Sequence, residues 1–174
     1  MPREDGRSAP RGTHTARRPA PVRLAGRSRP RGRAHAGAIA EALASALPDP
    51  AAVEVRSSDL RRAGRTADIV AARLGTEVIV DPALRERSYG EAGGRPQSWL
   101  DERFVPPPEC GERLRHDQGI AGAETTWDLA TRAYAAVERI QQSAAEHVVV
   151  VSHSGTSTFL LAAWIGMLIE AAGG

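Results

Sequence analysis

Residues 148–156 read Val148-Val149-Val150-Val151-Ser152-His153-Ser154-Gly155-Thr156. Four consecutive β-branched residues form a strand that is apolar on both faces, which suits the middle of a parallel sheet covered by helices on either side. The polar run after it turns the chain into a final helix, expected from about Thr156 to Ala171. Upstream, Thr126 to Ala145 places Trp127, Ala130, Tyr134, Val137 and Ile140 on one helical stripe. Val53-Glu54-Val55 and Val78-Ile79-Val80 are short strand candidates. Between them, Asp59 to Leu74 reads as a helix with Leu60, Ala63, Ala67, Val70 and Leu74 on one face and Gly75 as its C-cap. A further helix, Gly37 to Leu47, carries Ile39, Leu43 and Leu47 and is closed by Pro48 and Pro50. Strands alternating with helices of this length imply a three-layer α/β/α fold with a mostly parallel sheet. Between Tyr89 and Ala123 the glycines, the Pro106-Pro107-Pro108 run and scattered charges predict an irregular excursion, long enough to serve as a lid.

With 174 residues, 41% of them apolar, the chain suits one domain with a single core. Its net charge of +2 hides a division. Residues 1–36 hold ten Arg and five Pro against Glu4 and Asp5, a net +8, and the remainder is correspondingly acidic at −6. With Val22 and Leu24 as its only aliphatic residues larger than Ala apart from Met1, this arm buries too little surface to offset its ordering entropy. Residues 1–36 are therefore expected to be a disordered arm and 37–174 the α/β domain. An Arg-rich arm could contact nucleic-acid phosphates, but it lacks aromatic residues for stacking and helical periodicity, so a nucleic-acid partner is not expected. Arg/Pro/Gly/Ala runs are also what GC-rich DNA yields out of frame, and all 23 basic residues are Arg. The lone Cys110 suits a reducing, cytoplasmic setting. No window approaches the roughly 20 apolar residues of a membrane span. Cys110 and His116 lack ligand partners at metal-binding spacing, so no metal is expected.

In open α/β sheets, ligands bind beyond the carboxyl ends of the strands. Three places qualify: Ser57-Ser58-Asp59-Leu60-Arg61-Arg62, Leu84-Arg85-Glu86-Arg87, and Ser152-His153-Ser154-Gly155-Thr156. Together they offer guanidinium forks, a carboxyl group and a histidine at a helix start, the equipment for a phosphate monoester. A carboxyl group near the leaving oxygen can act as general acid where desolvation favours its protonated form.

These residues also carry a resemblance. Ser57-Ser58-Asp59-Leu60-Arg61-Arg62-Ala63-Gly64-Arg65-Thr66-Ala67 resembles the Ser-Ser-x-Leu-x-Arg-Ala-x-x-Thr-Ala motif of the histidine phosphatase (phosphoglycerate mutase-like) superfamily. Leu84-Arg85-Glu86-Arg87-Ser88-Tyr89-Gly90 is similar to its Leu-x-Glu-Arg-x-Tyr/Phe-Gly segment, and Val150-Val151-Ser152-His153-Ser154-Gly155 to its Val-x-Ser/Ala-His-Gly-Gly element. Gly122-Ala123-Glu124-Thr125 is a looser echo of a Gly-Glu-Ser entry into the penultimate helix. The resemblance implies that Arg62 binds the phosphoryl group, Glu86 donates the proton and His153 is the second histidine of the pocket. It implies no metal and no organic cofactor, and a small phosphorylated molecule as substrate. Arg61, Arg65, Arg85 and Arg87 are left as surface charge.

The family's nucleophile is the histidine of an Arg-His-Gly motif after an apolar first strand, and this chain has no such strand. The nearest material is Arg11-Gly12-Thr13-His14-Thr15, which makes His14 the candidate nucleophile and Arg11 a candidate phosphate ligand. Arg31-Gly32-Arg33-Ala34-His35-Ala36 is similar to the family's Arg-Gly-Arg-x-Gln-Ala helix start, so the correspondence resumes there. The chain stops at Gly174, where relatives continue into another strand, and both ends of the domain are expected to be incomplete. The expected function is a phosphatase or phosphomutase working through phosphohistidine. Its alternative is an inactive or truncated relative that at most binds a phosphorylated ligand. A serine hydrolase reading of the Ser-His-Ser-Gly-Thr turn fails, because Ser152 and Thr156 replace both glycines of a Gly-x-Ser-x-Gly elbow.

Overall fold

The computed structural model describes residues 30–47, 49 and 52–172; the greater part of the Arg-rich arm, with Arg11 and His14, lies outside the described residues. Three parallel strands, β1 (Val53–Ser57), β2 (Val78–Val80) and β3 (His147–Val151), lie in the order β2-β1-β3. Val55 pairs with Val78 on one side and Val149 on the other, so β1 is the central strand of the three.

Side-chain alternation along β3 builds two cores. Val149 and Val151 join Val53 and Val55 under α1 (Pro30–Ala46) and α2 (Arg61–Leu74), where Ala40, Leu43, Ala67, Val70 and Leu74 are buried. Val148 and Val150 face the opposite way, onto Leu129, Ala133, Val137 and Ile140 of α4 (Thr126–Gln141) and Phe159 and Leu160 of α5 (Ser154–Trp164). A strand with helices on both faces has no polar side to present, which is why four valines in a row occur here. The expected three-layer α/β/α architecture is the one found. Among the described residues no strand precedes β1.

Several element boundaries differ from those expected. The first helix begins at Pro30, so residues 30–36, assigned by composition to the arm, form its first two turns. Proline suits a first helical position, and the residues buried in these turns, Gly32 and Ala36, are too small to register in a count of large aliphatics. The helix expected up to Ala145 stops at Gln141, and Ser143 then accepts from Ala145 N and donates to Glu54 in β1. The final helix is two: α5 ends at Trp164, Gly166 takes a left-handed φ of 75°, and α6 runs Ile169–Ala172. Gly75 caps α2 in the left-handed conformation as expected.

Residues 89–123 form the irregular excursion, containing only α3 (Gln97–Asp101) and single 3-10 turns at Gly90–Ala92 and Arg113–Arg115. Both its ends are pinned together by an antiparallel bridge between Tyr89 and Ala123. Gly90 is required at this junction: its φ is 53°, and a Cβ would stand 2.2 Å from the Ala121 carbonyl oxygen. Among the described residues no helix is long and apolar enough to cross a membrane.

Candidate active site

All three strands deliver their polar followers to the same rim of the sheet. Ser58 follows β1, and Arg62 stands in the first turn of α2, whose helical start carries it back over the strand end. His153 follows β3 as the N-cap residue of α5. Glu86 follows β2 by way of the 3-10 turn Pro82–Leu84, which Asp81 caps by accepting from Ala83 N.

His153 is the centre of the cluster, with only 7% of its surface exposed. Its Nδ1 accepts from Arg62 Nε at 3.0 Å, and its Nε2 lies 2.7 Å from Ser58 Oγ. A guanidinium N–H can only donate, so Nδ1 is unprotonated, the ring proton is on Nε2, and Ser58 Oγ accepts it. That tautomer bars Ser58 from acting as a nucleophile activated by His153, since Nε2 has no lone pair to receive its proton. Burial, and then the Arg62 charge beside the ring, hold the imidazole below its ordinary value of 6.5; Arg132 acts in the same sense and Glu86 opposes.

Glu86 lies against the N-terminus of α5. Its Oε2 accepts from Gly155 N at 3.3 Å and its Oε1 from Arg87 N at 3.1 Å. Negative charge is favoured at a helix start, where backbone N–H groups lack intrahelical partners. The contact needs glycine at 155, because a Cβ there would stand 2.6 Å from Glu86 Oε1. Arg62 is exposed, and among the described residues its terminal nitrogens have no hydrogen-bond partner. They are therefore available to an incoming anion, beside the helix start that would share it.

The three residues selected from sequence thus converge on one rim. His14 and Arg11 fall outside the described residues. Among the charges left as surface, Arg61, Arg65 and Arg85 are exposed, with Arg85 paired to Asp59. Arg87 differs: it is half-buried, donates to the Glu124 carbonyl at 2.7 Å and has Nη2 shielded from solvent. Missed altogether were Ser58 as the partner of His153, and Arg132, which binds the Glu86 segment from α4. The Ser-Ser pair was visible, but nothing in a sequence distinguishes a buried polar contact from a solvated serine. Among the described residues no group of three or more His, Cys, Asp and Glu side chains could hold a metal ion.

Comparison with known proteins shows the family to which the chain belongs. The profile of the Histidine phosphatase superfamily (branch 1) matches residues 29–173. Phosphoglycerate mutase-like protein 4 of Arabidopsis thaliana is 35% identical over 127 residues, 71% of this chain and 54% of that protein. Glucosyl-3-phosphoglycerate phosphatase of Mycolicibacterium vanbaalenii is 33% identical over 149 residues, 80% of this chain and 63% of that protein. Among solved structures, mycobacterial hydrolase 1 superposes with a TM-score of 0.63 at 30% identity, covering 81% of this chain and 70% of that one. Mycobacterial glucosyl-3-phosphoglycerate phosphatase in complex with inorganic phosphate gives 0.58 at 27% identity, covering 83% and 72%. The chain belongs to the histidine phosphatase superfamily. It spans between about half and two thirds of the length of these curated relatives.

Proposed function

We propose that the rim formed by Arg62, His153, Glu86 and the start of α5 binds a phosphate monoester and serves its hydrolysis or phosphoryl transfer. The observation that carries this reading is the Arg62–His153–Ser58 chain of hydrogen bonds, with Glu86 at the adjoining helix N-terminus. Arg62 and His153 take the phosphoryl oxygens, the first as a fixed cation and the second through Nε2–H on exchanging Ser58 for the ligand. A histidine nitrogen attacks phosphorus while the bond to the leaving oxygen breaks, and Glu86, in its protonated form, gives its proton to the departing alcohol and becomes the carboxylate. Water then attacks the phosphohistidine and gives its proton to the Glu86 carboxylate, releasing phosphate and restoring the enzyme. The attacking histidine in this scheme is His14, and Arg11 is a further phosphate ligand. The solved structure of mycobacterial glucosyl-3-phosphoglycerate phosphatase in complex with inorganic phosphate supports a phosphate-sized ligand.

The test is hydrolysis of a chromogenic aryl phosphate by the full chain, with His153→Ala and Arg62→Ala each expected to lower kcat/KM by on the order of 10²-fold or more. Turnover that survives both substitutions would overturn the assignment. A second reading, binding without turnover, is favoured by one observation of the sequence: the Arg-His-Gly tripeptide that carries the family's nucleophile does not occur in it. It predicts saturable binding of inorganic phosphate, lost in Arg62→Ala, with no product from any monoester.

A further inference from the structure

Arg132 lies on α4 with its guanidinium largely withdrawn from water, 22% of the side chain being exposed. Every one of its N–H donors has an acceptor. Nε and Nη2 grip the Glu124 carboxylate, Nη2 at 2.8 Å, and Nη2 also reaches the Glu86 carbonyl at 3.2 Å. Nη1 donates to the carbonyls of Ala83 at 2.6 Å and Arg85 at 2.7 Å. From α5 and its approach, Ser152 Oγ donates to the Leu84 carbonyl and Thr156 Oγ1 to that of Arg85. Four consecutive carbonyls, 83 to 86, are thus held by side chains from two other elements. Glu124 closes the clamp on the far side, exchanging Ser88 N to its Oε2 and its own N to the Ser88 carbonyl.

Among the described residues, the carbonyls of residues 83–86 accept from no backbone N–H of a strand or helix, and such groups are normally left to water. Here they are fixed at and just before Glu86, whose carboxylate accepts from Gly155 N at the start of α5. We propose that Arg132, braced by Glu124, is a positioning residue that aims the Glu86 carboxylate at the α5 start and the bound monoester. The inference rests on the reading of Glu86 as proton donor. Lysine cannot replace it, because a point charge with three donors lacks the planar fork that spans three carbonyls and a carboxylate.

Two readouts separate positioning from mere support of the fold. In the first, the His153 ring is titrated by NMR in the full-length wild type, Glu86→Gln, Arg132→Gln and the double variant. Glu86→Gln is expected to lower the His153 midpoint in the wild type, because the Glu86 charge favours imidazolium, and to leave it unmoved in the Arg132→Gln background. An equal downward shift in both backgrounds overturns the proposal. In the second, Arg132→Gln should lose on the order of 10²-fold in kcat on an alkyl monoester, whose alkoxide needs a proton. Its kcat on p-nitrophenyl phosphate, whose leaving group needs none, should stay within roughly tenfold; equal losses on both count against positioning. If no monoester turns over, the hydrolysis reading fails and the titration cycle still decides the role of Arg132. Should Arg132→Gln not fold, Glu124→Gln keeps the guanidinium, loosens its brace and is put through the same cycle.

Discussion

At the scale of single residues, the behaviour of His153 follows from its two hydrogen bonds. Protonating Nδ1 would break the bond from Arg62 and set two cations together, in a place where little water can screen them. Stability should therefore depend on pH in a defined direction. The folded ring binds its proton more weakly than the unfolded one, so the contribution is fully present above 6.5 and is lost as pH falls through the lower folded value. Urea unfolding at about pH 7.5 and about pH 5.5 should show a loss of stability on acidification that is smaller in His153→Gln. An unchanged pH dependence in that variant would show that the folded ring titrates as an unfolded one does. Glycine 155 makes a second prediction. Its missing Cβ leaves room for Glu86 Oε1, the end of a flexible side chain. Gly155→Ala should accordingly keep its stability to within about 1 kcal/mol while displacing the carboxylate. Turnover of an alkyl monoester, and the effect of Glu86→Gln on the His153 titration, should both fall away together.

At the scale of elements, α4 is the support from which Arg132 reaches the Glu86 segment, and its own start is well defined. Thr125 Oγ1 accepts from Asp128 N at 3.1 Å and Asp128 Oδ2 accepts from Thr125 N at 3.2 Å, a reciprocal capping box. Thr125→Ala should cost about 1 kcal/mol, measurable as a lower urea midpoint with an unaltered slope. A changed slope would mean that the helix start does more than cap. Periodicity revealed α2 and α4 because each buries one stripe against the sheet, and a stripe repeats every three to four residues. The break between α5 and α6 was not legible, since the apolar run from Phe159 to Ile169 continues across it and only the φ of Gly166 interrupts the helix. The start of α1 was hidden for the opposite reason: it buries glycine and alanine, which carry little hydrophobic signal.

At the scale of the whole molecule, both outer strands of the described sheet present an unpaired edge. β3 pairs on one side only although Val148 to Val151 are buried on both faces, and on β2 Ile79 and Val80 are 44% and 57% exposed. Exposed apolar edges are templates for pairing with other chains. The full chain should therefore associate as its concentration rises, seen by light scattering, and unfold over a broad range. A sharp, concentration-independent, two-state melt would contradict this. If the Arg-rich arm binds polynucleotides, that binding should be steeply salt-dependent and vanish when residues 1–29 are removed, which leaves α1 whole.

The sequence by itself determined the layered α/β architecture, the parallel sheet and three residues of the rim. Hydrophobic period and strand-end chemistry are local properties, written into neighbouring residues. Only the tertiary structure decided that Ser58 meets His153, that Arg132 holds the Glu86 carbonyl, and that Gly155 makes room for the Glu86 carboxylate. Those contacts join residues 95, 46 and 69 positions apart. Their existence depends on how the strand ends are brought side by side, which no local pattern of polar residues encodes.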